Sequence, residues 1–206
     1  MRSPESLNIQ ENHPNHDDSK IAGTFNNLGL AYLNLEQYAE AEVFFQQALF
    51  LHEKEYALNN KSRVNLATNL ENLGSLYIKM YRYSEAEQVL TRSLLIQEQI
   101  FFQTHPSIAT TLNHLVDLSW SQDNLQKSLE LLQRSLAVQE ANILRNLTLL
   151  TELDQRTYLN TVGYTEDWIV SLHLQHLPTN PQASATALTT ILRRKGRILD
   201  TLRIMD

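Results

Sequence analysis

The sequence has no cysteine among its 206 residues. The chain therefore has no disulfide framework, no thiolate metal site and no cysteine nucleophile. A chain of this length can bury roughly 70% of its unfolded surface without such cross-links. The lack of cysteine fits a reducing compartment, and we expect a cytoplasmic protein.

Long apolar runs are also missing. No more than four apolar residues follow one another anywhere, and residues 1–20 lack the apolar core of a secretory signal peptide. The sequence therefore predicts a soluble protein that neither spans nor binds a membrane.

Glycine and proline are scarce, with five of each, and alternation of β-branched residues is missing. Few breakers and no strand pattern favour an all-α chain. Residues 1–20 are polar, hold two prolines and show almost no apolar periodicity, so we expect a disordered or loosely ordered lead-in there.

Positive charge is scarce over most of the chain. Residues 1–185 hold 12 basic and 21 acidic side chains, whereas residues 186–206 hold five and two. An acidic body is a poor general binder of nucleic acid, and we expect no nucleic-acid partner.

The only basic run is short and comprises Arg193, Arg194, Lys195 and Arg197. It could bind nucleic acid or an anionic surface. Apolar residues at helical spacing flank it, namely Ile191, Leu192, Ile198 and Leu199. We favour an amphipathic helix with a solvated basic face. Left uncovered, its apolar stripe could mediate self-association.

An internal repeat organises the first two thirds of the chain. Seven positions of the second copy match those 45 residues earlier: Asn27, Leu28, Gly29, Tyr32, Tyr38, Ala41 and Glu42 recur as Asn72, Leu73, Gly74, Tyr77, Tyr83, Ala86 and Glu87. A looser third copy follows after 42 residues, with Val116 in place of the glycine and Ser128 in place of the alanine.

Each copy has two apolar stripes at helical spacing. The first stripes are Ile21, Phe25, Leu28 and Tyr32, then Leu66, Leu70, Leu73 and Tyr77, then Ile108, Leu112, Leu115 and Ser119. A second stripe follows within a few residues, so each copy predicts an antiparallel helix hairpin. Glycine is costly inside a helix, so Gly29 and Gly74 indicate close approach to a second helix bearing Ala41 and Ala86. Ser62 and Ser107 are candidate N-caps, with Pro106 at the start of its helix.

The pattern Leu28, Gly29, Tyr32, Ala41, Phe45 and Ala48 resembles the tetratricopeptide repeat. The 42-residue period and the Asn-x-Leu of the first helix are similar to the longer repeats of kinesin light chains. The resemblance covers Ile21 to Gln139 and implies an α-solenoid of three repeats over residues 21–141.

The period stops after Gln139, but helical patterning continues over residues 142–206. We expect one helix from Ile143 to Tyr158, a second around Trp168 and a third over residues 187–202. This extension resembles the helical segment that joins tetratricopeptide repeats to a caspase-like CHAT domain in bacterial proteins. The resemblance implies a catalytic His and Cys pair beyond Asp206 and none in this chain. It also offers a third role for the basic helix, namely docking against that downstream CHAT domain.

The tetratricopeptide resemblance implies a concave groove lined by the first helix of each repeat. The matching positions are Asn26, Asn27, Leu30, Leu33 and Asn34, then Glu71, Asn72, Ser75, Ile78 and Lys79, then Asn113, His114, Asp117 and Trp120. Asparagine suits such a groove because its amide both donates to and accepts from a peptide backbone. Asn27, Asn72 and His114 are equivalent and would form a ladder.

Each groove residue also has a plainer interpretation. The asparagines could be solvated surface residues, and Trp120 could belong to the core, which we favour slightly. Charged groove residues are few, namely Glu71, Lys79 and Asp117. A lysine and arginine cluster that grips a C-terminal carboxylate is missing, so we do not expect that mode of binding.

No catalytic or cofactor motif is present. His173 and His176 have a spacing that could hold a metal, but the sequence places no third ligand nearby. We therefore predict a non-catalytic scaffold with no cofactor and no metal, which binds a partner peptide or helix. The alternatives are the regulatory arm of a CHAT peptidase and a self-assembling structural protein.

Overall fold

The computed structural model describes residues 16–55, 60–147, 149 and 179–203. Its helices are α1 (His16–Asn34), α2 (Tyr38–Glu55), α3 (Asn60–Lys79), α4 (Tyr83–Ile100), α5 (Pro106–Ser121), α6 (Leu125–Leu147) and α7 (Pro181–Arg203). No strand occurs among these residues. The predicted all-α fold is confirmed.

The helices form three antiparallel hairpins, α1 with α2, α3 with α4 and α5 with α6. The chain divides into two compact units, residues 1–100 and 101–206. In the first unit α3 packs mainly against α2 and also touches α1, so the first two hairpins stack. The second unit holds the third hairpin and α7.

The turns within the three hairpins have the same backbone geometry. Glu36, Tyr81 and Asp123 lie at equivalent positions and adopt left-handed φ angles of 59°, 60° and 58°. In each turn the next residue donates its N–H to a carbonyl five residues back, in the pairs Gln37 to Tyr32, Arg82 to Tyr77 and Asn124 to Ser119, at 2.8–2.9 Å. These are Schellman-type helix ends, here without glycine at the left-handed position. The repeat is therefore preserved in backbone geometry as well as in sequence.

The helical glycines mark close contacts, as the sequence predicts. A Cβ at Gly29 would lie 2.5 Å from Cδ1 of Phe45. The same atom at Gly74 would lie 2.4 Å from Cγ of Leu90. Ala41 and Ala86 are fully buried. The side chains that would clash with a Cβ on the glycines are those one helical turn after these alanines.

The apolar stripes of α1 and α3 differ in burial. Leu66 and Leu73 are 0% and 1% exposed, and Leu66 belongs to a cluster against which Leu49 of α2 packs. The equivalent residues of α1, Ile21 and Leu28, are 42% and 38% exposed. The stripe of α1 is thus partly in solvent, whereas the sequence predicts an equivalent packing stripe in each repeat.

Two predicted N-caps are wrong. Helix α3 begins at Asn60, so Ser62 lies inside it and is buried. Helix α5 begins at Pro106, and its cap is His105, whose Nδ1 accepts a hydrogen bond from the Ser107 N–H at 3.2 Å. In both cases the helix begins before the serine, which leaves its side chain on the first turn instead of ahead of it.

Two further helix boundaries differ from the predictions. Helix α1 begins at His16, inside the expected lead-in. Helix α6 continues to Leu147, and Ile143 is buried on it, so no new helix starts at Ile143. The rest of that predicted helix and the one around Trp168 fall outside the described residues.

The last predicted helix is present as α7. Asn180 caps it, because its Oδ1 accepts hydrogen bonds from the N–H groups of Gln182 and Ala183 at 2.9 and 3.1 Å. Ala183 and Ala187 are buried in a cluster with Leu129 and Leu132 of α6. The extension therefore contributes a helix that packs on the third hairpin.

Candidate functional site

All predicted groove residues lie on the first helices of the hairpins. Asn27, Asn34 and Lys79 are exposed, and the half-buried ones are Asn26, Leu30, Glu71, Asn72, Ser75, Asn113, His114, Asp117 and Trp120. Leu33 is buried and Ile78 is half-buried. Leu33 is thus a core residue, and the other side chains retain some accessible surface.

Three asparagines connect α1 to α3 in the first unit. Oδ1 of Asn26 accepts a hydrogen bond from Nδ2 of Asn72 at 2.9 Å and another from Nδ2 of Asn69 at 3.2 Å. Asn69 is fully buried. Sequence reasoning missed Asn69, because the equivalent positions of the other copies hold Thr24 and Thr111. The structure therefore brings the predicted residues Asn26 and Asn72 together. It also adds Asn69, which was not predicted, as the third member of the network.

This network divides the roles of the amides. The oxygen of Asn26 accepts two hydrogen bonds, so its amide offers a bound molecule only its N–H donors. Asn72 uses one donor on Asn26 and keeps a second N–H and its carbonyl oxygen. Oδ1 of Asn69 is buried without a hydrogen-bond partner. The surface at α1 and α3 thus presents a donor side at Asn26 and an acceptor at Asn72.

Polar contacts of the predicted groove helices α3 and α5 join the two helices of the second and third hairpins. Ser93 donates its hydroxyl to the carbonyl of Ala67 at 2.7 Å, and Nε2 of Gln97 lies 3.3 Å from Oε2 of Glu71. At equivalent positions of the third hairpin, the hydroxyl of Ser135 lies 3.3 Å from the Ala109 carbonyl and 2.7 Å from Oδ1 of Asn113. Glu71 and Asn113 are therefore oriented by their own hairpins.

The first hairpin lacks these contacts. Its equivalents of Ser93 and Gln97 are Ala48 and His52. His52 is 3% exposed, and its Nδ1 has no hydrogen-bond partner. Burial lowers the pKa of His52 below its ordinary value, because the charged imidazolium would lose its hydration.

Trp120 packs against the core. It is half-buried and lies against the cluster that contains Val116, Leu132 and Ala187. The core interpretation of this tryptophan is therefore supported by its packing. The predicted ladder from Asn27 and Asn72 to His114 stays a prediction.

An unpredicted ionic cluster ties the turn of the second hairpin to α2. Nη1 of Arg82 lies 2.7 Å from both carboxylate oxygens of Glu42, and its Nε donates to Glu85 at 3.0 Å. The guanidinium also lies over the ring of Tyr77, 4.3 Å from the centroid. The Glu85 hydrogen bond, followed by that of Glu42, raises the pKa of Arg82, and the bond from Arg82 lowers the pKa of Glu85. Arg82 therefore links the second hairpin to the first.

The described part of the chain contains no group of three or more His, Asp or Glu side chains that could hold a metal ion. Its helices include none with both the length and the apolar character needed to cross a membrane. His173 and His176 lie outside the described residues, as do the side chains of the basic run at 193–197.

Comparison with protein families identifies the repeats. Tetratricopeptide repeat models match residues 22–54 and residues 65–141. Together these matches span more than half of the chain. A comparison with curated proteins finds no match.

Solved structures share the fold. BtubC (BKLC) from P. vanneervenii has a TM-score of 0.59 and 16% identity, over 95% of this chain and 70% of that one. A putative kinesin light chain from Podosopora anserina with nearly identical TPR-like repeats has a TM-score of 0.53 and 18% identity, over 94% and 96% of the two chains. A point variant of that protein gives 0.54 and 17%, over 92% and 94%. The protein described here belongs to the tetratricopeptide repeat proteins, and its structural relatives include repeats of the kinesin-light-chain type.

Proposed function

We propose that this protein is a non-catalytic interaction module that binds an extended peptide or a helix of a partner protein along α1 and α3. Tetratricopeptide repeats generally mediate protein–protein interaction, which supports the class of function. The observation that carries the site is the hydrogen-bonded set Asn26, Asn69 and Asn72, because it positions amides on adjacent repeats.

The division of the amides suits a peptide backbone. A peptide N–H would donate to Oδ1 of Asn72, and a peptide carbonyl would accept from Nδ2 of Asn26. Asn27 is exposed on the neighbouring position of α1 and can add a further contact. The Asn26 oxygen already accepts two hydrogen bonds, so Asn26 can only donate to the ligand. The ligand must therefore present an acceptor at Asn26.

The chemistry of the groove favours a largely uncharged ligand segment. Lys79 is the only cation among the predicted groove residues, and Glu71 is engaged with Gln97. Recognition of a terminal carboxylate by several cations is therefore not the proposed mode. Backbone hydrogen bonds with an apolar side chain seated near Leu30 account better for these residue types.

The test starts from a random peptide display library selected on the wild-type chain. The dissociation constant of the selected peptide is then measured for an Asn27→Ala, Asn72→Ala variant that keeps its helical circular dichroism. We expect affinity to fall roughly tenfold or more, since the variant loses the backbone contact at Asn72 and the further contact at Asn27. The matched control is Gln47→Ala, Gln88→Ala, which removes two exposed amides from the second helices. Unchanged affinity in the first variant, or equal loss in both, rules out the groove.

The regulatory-arm hypothesis keeps the same groove and adds a CHAT domain downstream of this chain. Under this hypothesis a following domain would be attached through α7, which packs on the third hairpin through Ala183 and Ala187. The test is to read the coding sequence beyond Asp206 and to assay peptidase activity of the extended protein with and without the selected peptide. A reading frame that stops at Asp206 would exclude this hypothesis and leave the groove proposal intact.

A further inference from the structure

Asn26 is held differently from its equivalents in the other two repeats. Those equivalents, Glu71 and Asn113, each contact the second helix of their own hairpin. The side-chain oxygen of Asn26 instead accepts two hydrogen bonds from α3, one from Asn69 and one from Asn72. The amide of Asn26 is therefore oriented by the next repeat along the chain.

Asn26 and Asn72 alone would leave the direction of their hydrogen bond undecided. An amide carries a donor and an acceptor side by side, so the oxygen of Asn26 can accept from Asn72. With both amides turned over, the nitrogen of Asn26 would donate to the oxygen of Asn72. The first arrangement presents the N–H groups of Asn26 to a ligand, whereas the second presents its oxygen. Each contains one hydrogen bond, so the pair does not select between them.

Asn69 selects the first arrangement. Its Nδ2 donates to the same oxygen of Asn26 at 3.2 Å, so two donors hold that oxygen against α3. Asn26 and Asn72 are half-buried and have room to turn over, but Asn69 is 0% exposed and is confined by its neighbours. If only the exposed pair turned over, the N–H groups of Asn26 and Asn69 would face each other without an acceptor.

Asn69 occupies this position at a cost in stability. Its Oδ1 is buried without a hydrogen-bond partner, and burying an unpaired polar atom disfavours the folded state. The equivalent residues are Thr24 and Thr111, and Thr111 is also fully buried. Thr24 donates its hydroxyl to the carbonyl of Lys20 on its own helix at 2.9 Å. Threonine at position 69 could make the same local bond, but it would then not donate to Asn26.

We propose that Asn69 is a positioning residue that sets the hydrogen-bonding polarity of the groove. By holding the oxygen of Asn26 against α3, it makes α1 the donor side and leaves the oxygen of Asn72 as the acceptor. The ligand that fits is a peptide segment with a backbone carbonyl at α1 and a backbone N–H at α3. Asn69 has no accessible surface, so it acts on the ligand through Asn26. This inference rests on the proposed function and adds the residue that fixes the direction of its hydrogen bonds.

The first test uses the protein without ligand. Side-chain amide hydrogen exchange, followed by ¹⁵N NMR, reports which amide nitrogen is hydrogen-bonded. In the wild type, one N–H of Asn72 should exchange roughly threefold or more slowly than those of Asn26. In Asn69→Thr this difference should shrink, because the pair is free to turn over. The control is Asn65→Thr, the same substitution at a half-buried residue one helical turn earlier on α3, which should keep the wild-type pattern.

Two exchange results would overturn the proposal. Slower exchange at Asn26 than at Asn72 in the wild type would show the opposite polarity. An unchanged difference in Asn69→Thr would show that Asn69 does not set it.

The second test measures binding of the peptide selected on the wild type. Asn69→Thr should weaken binding roughly threefold to tenfold, because the donor at Asn26 is no longer held towards the ligand. The same substitution should have no effect in an Asn26→Ala background, since the residue through which it acts is gone. The midpoint of urea unfolding should stay the same or rise, because the unpaired oxygen is removed. A residue that only supports the fold would lower the midpoint and weaken binding in both backgrounds.

The pattern of losses separates this inference from the proposed function. If Asn27→Ala, Asn72→Ala weakens binding but Asn69→Thr does not, the inference is overturned and the proposed function stands. Equal weakening by Asn69→Thr with and without Asn26 also overturns the inference alone. Unchanged binding in the Asn27→Ala, Asn72→Ala variant overturns the proposed function and the inference with it.

Discussion

Gly74 faces Leu90 across the second hairpin so closely that a Cβ on the glycine would lie 2.4 Å from Cγ of the leucine. Leu90 is fully buried and cannot move aside freely. The separation of α3 and α4 at this level is therefore set by the absence of one methyl group. Gly29 and Phe45 have the same relationship in the first hairpin.

Gly74→Ala should lower the free energy of unfolding by about 1 to 3 kcal/mol, because the added methyl overpacks the contact with Leu90. Chemical denaturation measures the change. Gly23→Ala is the matched control: Gly23 is also helical, but a Cβ added there would meet nothing within 4 Å, so this change should stabilise by about 0.5 to 1 kcal/mol. Equal effects of the two substitutions would refute the contact.

Glu36→Gly should stabilise the first hairpin by up to about 1 kcal/mol. The left-handed φ of 59° is costly for a side chain, and glycine relieves it at some cost in unfolded-state entropy. Glu36→Ala removes the same side chain but keeps the Cβ, so it should change stability little. The comparison is made by thermal and urea unfolding, and a gain with alanine as large as that with glycine would contradict it.

His52→Gln should make stability less sensitive to acid. Burial lowers the folded-state pKa of His52 below 6.5, so the unfolded chain binds the proton more tightly. Wild-type stability therefore falls, relative to the variant, as pH drops from about 7 through 6.5, and the difference is constant above that range. Glutamine is a suitable replacement because Gln97 and Gln139 occupy the equivalent positions. Urea unfolding at several pH values measures it, and parallel pH profiles would disprove it.

Arg82 and Glu42 should be coupled by about 1 kcal/mol in a double-mutant cycle with Arg82→Met and Glu42→Gln. The pair is 2.7 Å apart and only 32% and 18% exposed, which limits screening by solvent. Arg92 and Glu53 form a control pair at the same distance but 49% and 43% exposed, so their coupling should be smaller. Coupling of equal size in the two cycles would show that burial makes no difference here.

The hairpins could be predicted because the same apolar spacing occurs in all three copies of the repeat. Apolar spacing identified the helices, and the repeated glycine identified a close contact that the structure places at Phe45 and Leu90. Capping was not predictable from Ser62 and Ser107, since several residues compete for the start of a helix. His105 took that role at α5, where Pro106 already fixed the first helical residue.

The candidate site was only partly predictable. The repeat predicts that the candidate-site residues lie on the first helices of the hairpins. The hydrogen bonds between repeats, however, depend on the stacking of α1 and α3. Asn69 shows this, because it differs from its equivalents Thr24 and Thr111 and acts through a contact 43 residues away. Arg82 is similar, since its partner Glu42 comes from the preceding hairpin.

The three left-handed turn residues are a glutamate, a tyrosine and an aspartate, yet their φ angles agree within two degrees. Main-chain hydrogen bonds fix these turns. After a repeat is duplicated, its turn can therefore accept a new side chain without changing the backbone of the turn. Divergence at this position changes an exposed side chain and leaves the hairpin backbone intact.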